Sequence, residues 1–272
     1  MNAFENNIMS IYGKKGEEWL ANLPSHVRQY EALWDLCQLK PFDNLSLNYV
    51  VSGYQKEKPI VLKLSLDALS LNKEAMALQA FTGYGAVAVL GYEDDALLLQ
   101  RAVPGNVLKT KFPEGSKKGI EIACNVIEKL RLAQIPSGNS FPHITELLAT
   151  LDKEWNIPKD HLRRARKLKQ ELLQNQDSQV LLHGDLHQDN ILSDGKEWLV
   201  IDPKGVIGFP INEVWACVED PNHDLVYISK YFNFKLDDVV AWYYVHLILA
   251  ACWCVEDNLN PKRFLDLAQS VY

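Results

Sequence analysis

The sequence predicts an α+β fold of two lobes: a small lobe built on an antiparallel sheet with one helix, and a mainly helical large lobe. Two observations support this. Apolar residues occur in short β-type runs between Leu45 and Leu99, with one helical stretch among them. After Ser116 most apolar residues recur at helical spacing. We therefore expect a first lobe at residues 1–103 and a second lobe at residues 104–272.

The first forty residues predict helices that cover the small lobe. One amphipathic stretch is expected to end at Leu23-Pro24. Ser25 is a suitable N-cap for a second helix that reaches Leu36-Cys37. Both are expected to bury their apolar faces against the lobe.

Two pairs of β-type runs flank a helix in the small lobe. Residues 47–51 and 60–64 are joined by a polar, turn-rich link and predict a hairpin. A helical stretch begins at Asn72, and a second pair of runs covers 87–90 and 96–99. This order, strand–strand–helix–strand–strand, is that of the small lobe of kinases.

Lys63 lies at the end of the second run and Glu74 on the following helix. Kinases pair such a lysine with such a glutamate so that the ammonium is held over the α- and β-phosphates of the nucleotide. A strand lysine alone usually only extends its ammonium to solvent, so this interpretation depends on the polar residues downstream. Residues 100–105 are the expected hinge, where the main chain of Arg101 and Val103 is a candidate for contacts to the adenine edge.

A cluster of polar residues follows the apolar run 180–182, so we expect a buried strand to present them at its end. It reads His183-Gly184-Asp185-Leu186-His187-Gln188-Asp189-Asn190. The spacing from Asp185 to Asn190 is that of a kinase catalytic loop. A carboxylate within hydrogen-bond distance of an attacking hydroxyl can orient it and accept its proton, which suits Asp185.

Asn190 and Asp202 are candidate ligands for Mg²⁺, which prefers hard oxygen donors and neutralises the charge of the leaving diphosphate. Residues 191–193, the turn pair Asp194-Gly195 and residues 198–201 predict a β-hairpin that carries Asp202 back beside Asn190. The sequence therefore predicts a phosphoryl-transfer site that uses Mg²⁺ and a nucleoside triphosphate, ATP or GTP. Nucleotide binding is then expected in the lobe at residues 1–103, and acceptor binding in the lobe at residues 104–272.

Helical patterns dominate the large lobe. They begin at Ser116, His143 and Pro158, and two short helices are expected at 212–217 and 220–225. Acidic residues of those short helices, Glu213 among them, are expected at caps or on the surface. The apolar segment 239–255 falls short of the roughly 20 residues that span a bilayer and is expected to be a buried central helix. Its His246 is expected to be a core histidine with a hydrogen-bond partner.

Composition and charge limit the partners. A net charge of −7 argues against a nucleic acid, since phosphate backbones require clustered Lys and Arg, and suits a cationic small molecule. The basic run 161–169 contains an apolar stripe and predicts a solvated helix face. Five cysteines are an odd number without framework spacing, and no signal segment opens the chain. A cytoplasmic protein without a membrane partner is therefore expected.

The chain resembles the aminoglycoside phosphotransferase family of the protein-kinase-like fold, within it the streptomycin 6-kinase and hydroxyurea phosphotransferase group. Similar segments extend over most of the chain, among them residues 19–24, 48–50, 61–64, 83–87, 97–101, 183–192 and 201–205. The resemblance implies an ATP-dependent kinase that phosphorylates a hydroxyl of a small molecule, with an aminoglycoside such as streptomycin as the first candidate. It implies these roles: Asp185 as catalytic base, Asn190 and Asp202 on Mg²⁺, Lys63 with Glu74 on the phosphates, and His183 as a brace for the loop.

Three alternatives stay open. The first is a kinase of another small hydroxylated metabolite. The second is a metal-dependent hydrolase in which His183, Asp185 and His187 hold one ion, because a His-x-Asp-x-His pattern can supply three ligands. The third is a catalytically silent binding module of the same fold. The sequence has no further His-Asp cluster to complete a hydrolase site, and all five kinase positions are occupied, which disfavours the second and third.

Overall fold

The structure is a computed structural model that describes residues 3–113, 116–138, 141–174 and 178–271. Its helices are α1 (Ala3–Leu33), α2 (Ala68–Ala80), α3 (Leu108–Lys111), α4 (Lys117–Leu130), α5 (Ile144–Leu148), α6 (Lys159–Leu172), α7 (Pro221–Phe232), α8 (Leu236–Glu256) and α9 (Lys262–Val271). Its strands are β1 (Leu36–Pro41), β2 (Tyr49–Gln55), β3 (Lys58–Leu64), β4 (Val89–Glu93), β5 (Ala96–Gln100), β6 (Pro104–Val107), β7 (Val180–Leu182), β8 (Ile191–Asp194), β9 (Glu197–Val200) and β10 (Val206–Gly208).

The chain divides into two compact units. The first comprises Met1–Gly105 and Ser193–Ile201, and the second comprises Asn106–Leu192 and Asp202–Tyr272. The assignment of nucleotide binding to residues 1–103 and of acceptor binding to residues 104–272 stays a prediction.

A five-stranded antiparallel sheet, in the order β1-β2-β3-β5-β4, is the framework of the first unit. The predicted hairpins are confirmed as β2–β3 and β4–β5. The strands of the first hairpin continue through most of the polar link, so that its turn consists of Lys56 and Glu57 alone. β3 lies in the centre of the sheet, where Lys63 is paired with Val50 on one side and Leu97 on the other. The register of the sheet therefore fixes the position of Lys63.

Helix α1 packs on this sheet and does not break where the sequence predicts. Pro24 lies inside the helix, and the interruption falls at Gly13, whose φ of 55° and ψ of −131° are non-helical. Side chains on both sides of Pro24 belong to one core with the sheet, among them Trp19, Leu23 and Tyr30. This shared burial outweighs the hydrogen bond that proline cannot donate.

The predicted end of the second helix was also wrong, because Leu36 and Cys37 lie in β1. The chain leaves α1 through Asp35, which has a left-handed φ of 51°. Leu36 is buried in the core beneath α1, and β1 pairs with β2. The apolar spacing that predicted a continuing helix therefore comes from two elements that bury residues in the same core.

The second unit is mainly helical and is arranged around α8, which contacts α6, α7 and α9. Val239 and all residues from Ala241 to Cys252 are buried, so the predicted central helix is confirmed. The prediction that this helix is too short to span a bilayer was wrong. α8 has 21 residues and is long and apolar enough to span a membrane by length and composition. The burial of 72% of its most apolar window inside the protein accounts for that composition without a membrane.

Of the two predicted short helices, the one at 212–217 is absent, and the one at 220–225 is the first part of a longer helix. Pro210–Asn212 form a 3₁₀ turn, and α7 continues from Pro221 to Phe232. Asp220 caps α7, because its carboxylate accepts the N–H of Asn222 at 3.1 Å. Neither β10 nor α9 was predicted. β10 has only three residues, a length at which periodicity carries no signal.

We expect Gly16→Ala to lower the unfolding temperature of the protein. A Cβ at this position would lie 2.7 Å from the carbonyl oxygen of Ile8, across the bend at Gly13. Overpacking of this kind costs about 1–3 kcal/mol. Differential scanning calorimetry measures the change, with Lys15→Ala at an exposed neighbouring position as the control. An unfolding temperature equal to that of the parent would contradict the packing described for α1.

Candidate active site

Lys63 of β3 and Glu74 of α2 form a buried ion pair in the first unit. Nζ of Lys63 lies 2.6 Å from Oε2 of Glu74, and the two side chains are only 6% and 10% exposed. The start of α2 is fixed by Asp67, whose carboxylate accepts the N–H of Ser70 at 2.9 Å. Removing two charges from water is unfavourable unless they are paired in good geometry. The structure thus brings together the lysine and the glutamate that the sequence paired.

The predicted hinge contacts involve main-chain groups that already have partners. The N–H of Val103 donates to the carboxylate of Asp194 at 2.9 Å, and its carbonyl accepts the N–H of Gly195 at 2.8 Å. The N–H of Arg101 donates to the carbonyl of Pro59 at 3.2 Å. An adenine contact from the N–H of Val103 would therefore have to replace the bond to Asp194, whereas its carbonyl has a second lone pair for a further donor. Asp194, which accepts the N–H of Val103, is the last residue of β8. The turn of this hairpin is therefore Gly195-Lys196 and not the predicted Asp194-Gly195.

In the second unit, the polar loop follows β7 as predicted, and the main chain of Asp185 is held at both ends. Its N–H donates to Nδ1 of His183 at 3.3 Å. Its carbonyl accepts the side-chain N–H of Asn190 at 2.9 Å. His183 has no exposed surface. The structure therefore brings Asp185 and Asn190 together and gives His183 the bracing contact that the family resemblance implied.

Asp202 lies on a segment that returns to the same loop. The carbonyl of His183 accepts the N–H groups of Lys204 and Gly205, at 2.8 and 3.1 Å. β10 then pairs antiparallel with β7, with Val206 opposite Leu182. The predicted hairpin before Asp202 is confirmed as β8–β9. The main-chain contacts after Asp202, which the sequence did not predict, fix the segment against His183.

The donor atoms fit Mg²⁺. The amide nitrogen of Asn190 donates to the carbonyl of Asp185, so its amide oxygen would be the atom to face a metal, and Asp202 would supply a carboxylate. Magnesium takes such oxygen ligands together with phosphate and water. Among the residues that the structure describes, no group of three or more His, Cys, Asp or Glu side chains is placed to hold a metal ion. The alternative hydrolase site of His183, Asp185 and His187 is therefore not formed, and Nδ1 of His183 is already bonded to the main chain.

Glu213 contacts the catalytic loop, and the sequence reasoning did not predict this contact. It was expected at a cap or on the surface, but its carboxylate is buried and accepts the main-chain N–H groups of His183 and Gly184. The pKa of Glu213 is raised to about 7: burial is the largest cause, the two N–H groups oppose the rise, and the negative charge of Asp185 adds to it. The only signal in the sequence is an acid next to the apolar pair Val214-Trp215.

A family model described as aminoglycoside/hydroxyurea antibiotic resistance kinase matches residues 38–230. Streptomycin 6-kinase of Streptomyces glaucescens is 22% identical over 96% of this chain and 92% of its own length. Streptomycin 3''-kinase of Klebsiella pneumoniae is 25% identical over 81% of this chain and 90% of its own length. These matches include the loop and the segments that carry Lys63 and Asp202.

Solved structures show the same fold at low identity. A choline/ethanolamine kinase family protein from Mesorhizobium loti superposes with a TM-score of 0.69 at 15% identity, covering 90% of this chain and 94% of that one. The aminoglycoside phosphotransferase APH(4)-Ia, solved with ADP and hygromycin B, superposes with a TM-score of 0.67 at 13% identity, covering 90% and 95%. The predicted α+β, protein-kinase-like fold is therefore confirmed.

We expect Glu213 to make the stability of the protein depend on pH. The folded-state pKa of about 7 lies above the ordinary value of 4.5, so between these values the folded protein holds a proton that the unfolded chain releases. The resulting stabilisation is present in full below pH 4.5 and is lost as the pH rises to about 7. Glu213→Gln removes this loss from the pH profile of the free energy of unfolding.

Urea denaturation at a series of pH values measures the effect. Glu57→Gln, at an exposed turn, is the matched control and should keep the parent profile. The assignment is wrong if the Glu213→Gln profile has the same slope as the parent between pH 4.5 and 7.

Proposed function

We propose an aminoglycoside as the acceptor, because the chain belongs to the aminoglycoside/hydroxyurea antibiotic resistance kinase family, whose model matches residues 38–230. The chain is a phosphotransferase with a hydroxyl group of a small molecule as acceptor. Streptomycin is the first candidate, since the relatives that match most of the chain are named streptomycin kinases. The net charge of −7 supports a cationic acceptor through long-range attraction.

The fixed main chain of Asp185 carries the proposal. A carboxylate acts as a general base only if it is held within hydrogen-bond distance of the reacting hydroxyl. Both main-chain groups of Asp185 are bonded within the loop, and Glu213 holds the two residues before it. We assign to Asp185 the orientation of the acceptor hydroxyl and the removal of its proton.

The remaining roles concern the donor. We assign the Lys63 ammonium, held by Glu74, to the nucleotide phosphates, and the main chain of Arg101 and Val103 to the purine. Asn190 and Asp202 would hold Mg²⁺, which supplies neutralisation of the charge on the departing diphosphate. ATP is the proposed donor, and the cytoplasm, where ATP is abundant, is the proposed compartment.

We expect the parent protein to add one phosphate to streptomycin in the presence of ATP and Mg²⁺, detected by mass spectrometry. Asp185→Asn should lose at least about a hundredfold in turnover, in line with general-base contributions, and should keep its affinity for the nucleotide. The same assay with hygromycin B, hydroxyurea and choline distinguishes the acceptor class. If the Asp185→Asn variant has the same turnover as the parent, Asp185 is not the general base.

Asp202→Ala should weaken the binding of the magnesium–nucleotide complex, because it deletes one of the two proposed metal ligands. Calorimetric titration measures the affinity with and without Mg²⁺. Asp194→Ala, eight residues earlier in the hairpin, is a control that alters the main-chain contact of Val103 and should leave the magnesium dependence in place. If Asp202→Ala retains the parent's magnesium dependence, Asp202 is not a ligand.

A further inference from the structure

A small cavity in the second unit borders the catalytic loop. Its free volume is about 20 Å³, and Gly184, Asn212, Trp215, His246 and Trp253 are among the residues that line it. A cavity of about 10–15 Å³ is sufficient for one water molecule. The space therefore accommodates one group of that size. Gly184 directly precedes Asp185, so the contents of this cavity contact the chain that positions the proposed base.

Two of the lining side chains have a buried polar atom without a partner among the described residues. Oδ1 of Asn212 accepts the N–H of Phe209 at 3.2 Å, but Nδ2 of Asn212 has no acceptor. Nε2 of His246 has no partner either. Both residues are only 3% exposed. An unsatisfied buried polar atom costs about 1–3 kcal/mol, and native proteins usually satisfy such atoms with protein groups or ordered water.

The surroundings select an uncharged ligand. His246 is stacked on Trp215 with ring centroids 5.3 Å apart and an interplanar angle of 2°. The ring centroid of Trp242 lies 5.9 Å from that of His246. Burial lowers the pKa of His246 to about 3, so the imidazole is neutral at physiological pH. The described residues that line the cavity include no Lys, Arg, Asp or Glu. A buried charge would therefore lack a counter-charge and would be strongly disfavoured.

The two unpaired atoms also define the hydrogen bonds that the ligand must make. Nδ2 of Asn212 can only donate. Nε2 of His246 accepts in one tautomer of the neutral ring and donates in the other. A hydroxyl oxygen accepts from Asn212 in either case, and it can donate to His246 or accept a second bond from it. An ammonium has no lone pair for Asn212 and is excluded on this ground.

We propose that this cavity is a hydroxyl-binding site in which one hydroxyl group bonds to Nδ2 of Asn212 and to Nε2 of His246. The hydroxyl belongs to an ordered water molecule or to the small-molecule acceptor. Only the second source rests on the proposed function. In either case the bound group satisfies both side chains and supports the wall of the cavity that Gly184 forms.

The test compares His246→Phe with His246→Gln in the free protein. Phenylalanine keeps an aromatic ring against Trp215 but removes Nε2, whereas glutamine keeps a polar terminus near that position. If water occupies the site, His246→Phe lowers the urea midpoint of unfolding, and His246→Gln recovers part of the loss. If the cavity is dry, His246→Phe raises the midpoint, because an apolar ring replaces an unsatisfied atom. Leu249→Met changes the packing of the same cavity without a polar group and should shift the midpoint little.

The acceptor is tested by steady-state kinetics with the substrate that the parent phosphorylates. A rise of about tenfold or more in the KM for the acceptor in His246→Phe, with kcat retained and the free-protein midpoint raised or unchanged, assigns the hydroxyl to the acceptor. A lowered midpoint with an unchanged KM assigns it to water. A midpoint that is raised or unchanged, together with an unchanged KM, overturns the proposal. A lowered midpoint needs no substrate, so it establishes the bound water even if no aminoglycoside is phosphorylated. A raised or unchanged midpoint in a protein that phosphorylates no acceptor overturns the proposal.

Discussion

The buried carboxylate of Glu213 is the contact on which the geometry of the catalytic loop depends. β7 ends at Leu182, and the next two main-chain N–H groups point to one side chain 30 residues later in the chain. Main-chain N–H groups that leave a strand in the interior need an acceptor, and a carboxylate with two oxygens can serve both. The position of Asp185 is thus set by a residue that does not itself contact the reacting groups in the proposed mechanism.

The same loop is shaped by the lack of a side chain at Gly184. Its φ of 82° is left-handed, and a Cβ there would lie 2.8 Å from a methyl group of Val206. Glycine therefore permits both the turn towards Asp185 and the close approach of β10 to β7. Since β10 follows Asp202, this close packing also determines the path of the segment that carries the proposed metal ligand.

The two buried glutamates are stabilised in different ways. In the first unit Glu74 is compensated by a full positive charge on Lys63, at 2.6 Å. In the second unit Glu213 has only the dipoles of two N–H groups, and these do not offset its desolvation, so its pKa rises to about 7. An ion pair suits a site assigned to a charged triphosphate. A carboxylate held by main-chain dipoles suits a brace, because it fixes the direction of the chain without placing a cation beside Asp185.

The sequence by itself determined the features that depend on neighbours along the chain. The β2–β3, β4–β5 and β8–β9 hairpins, the central helix α8 and the spacing from Asp185 to Asn190 follow from local periodicity and a short motif, and the structure contains all of them. Only the tertiary structure decided the course of α1 through Pro24, the strand at Leu36, the burial of Glu213 and the unpaired nitrogen of His246. Each of these depends on a partner, or on the lack of one, among residues far away in the chain, and no local pattern records such a contact.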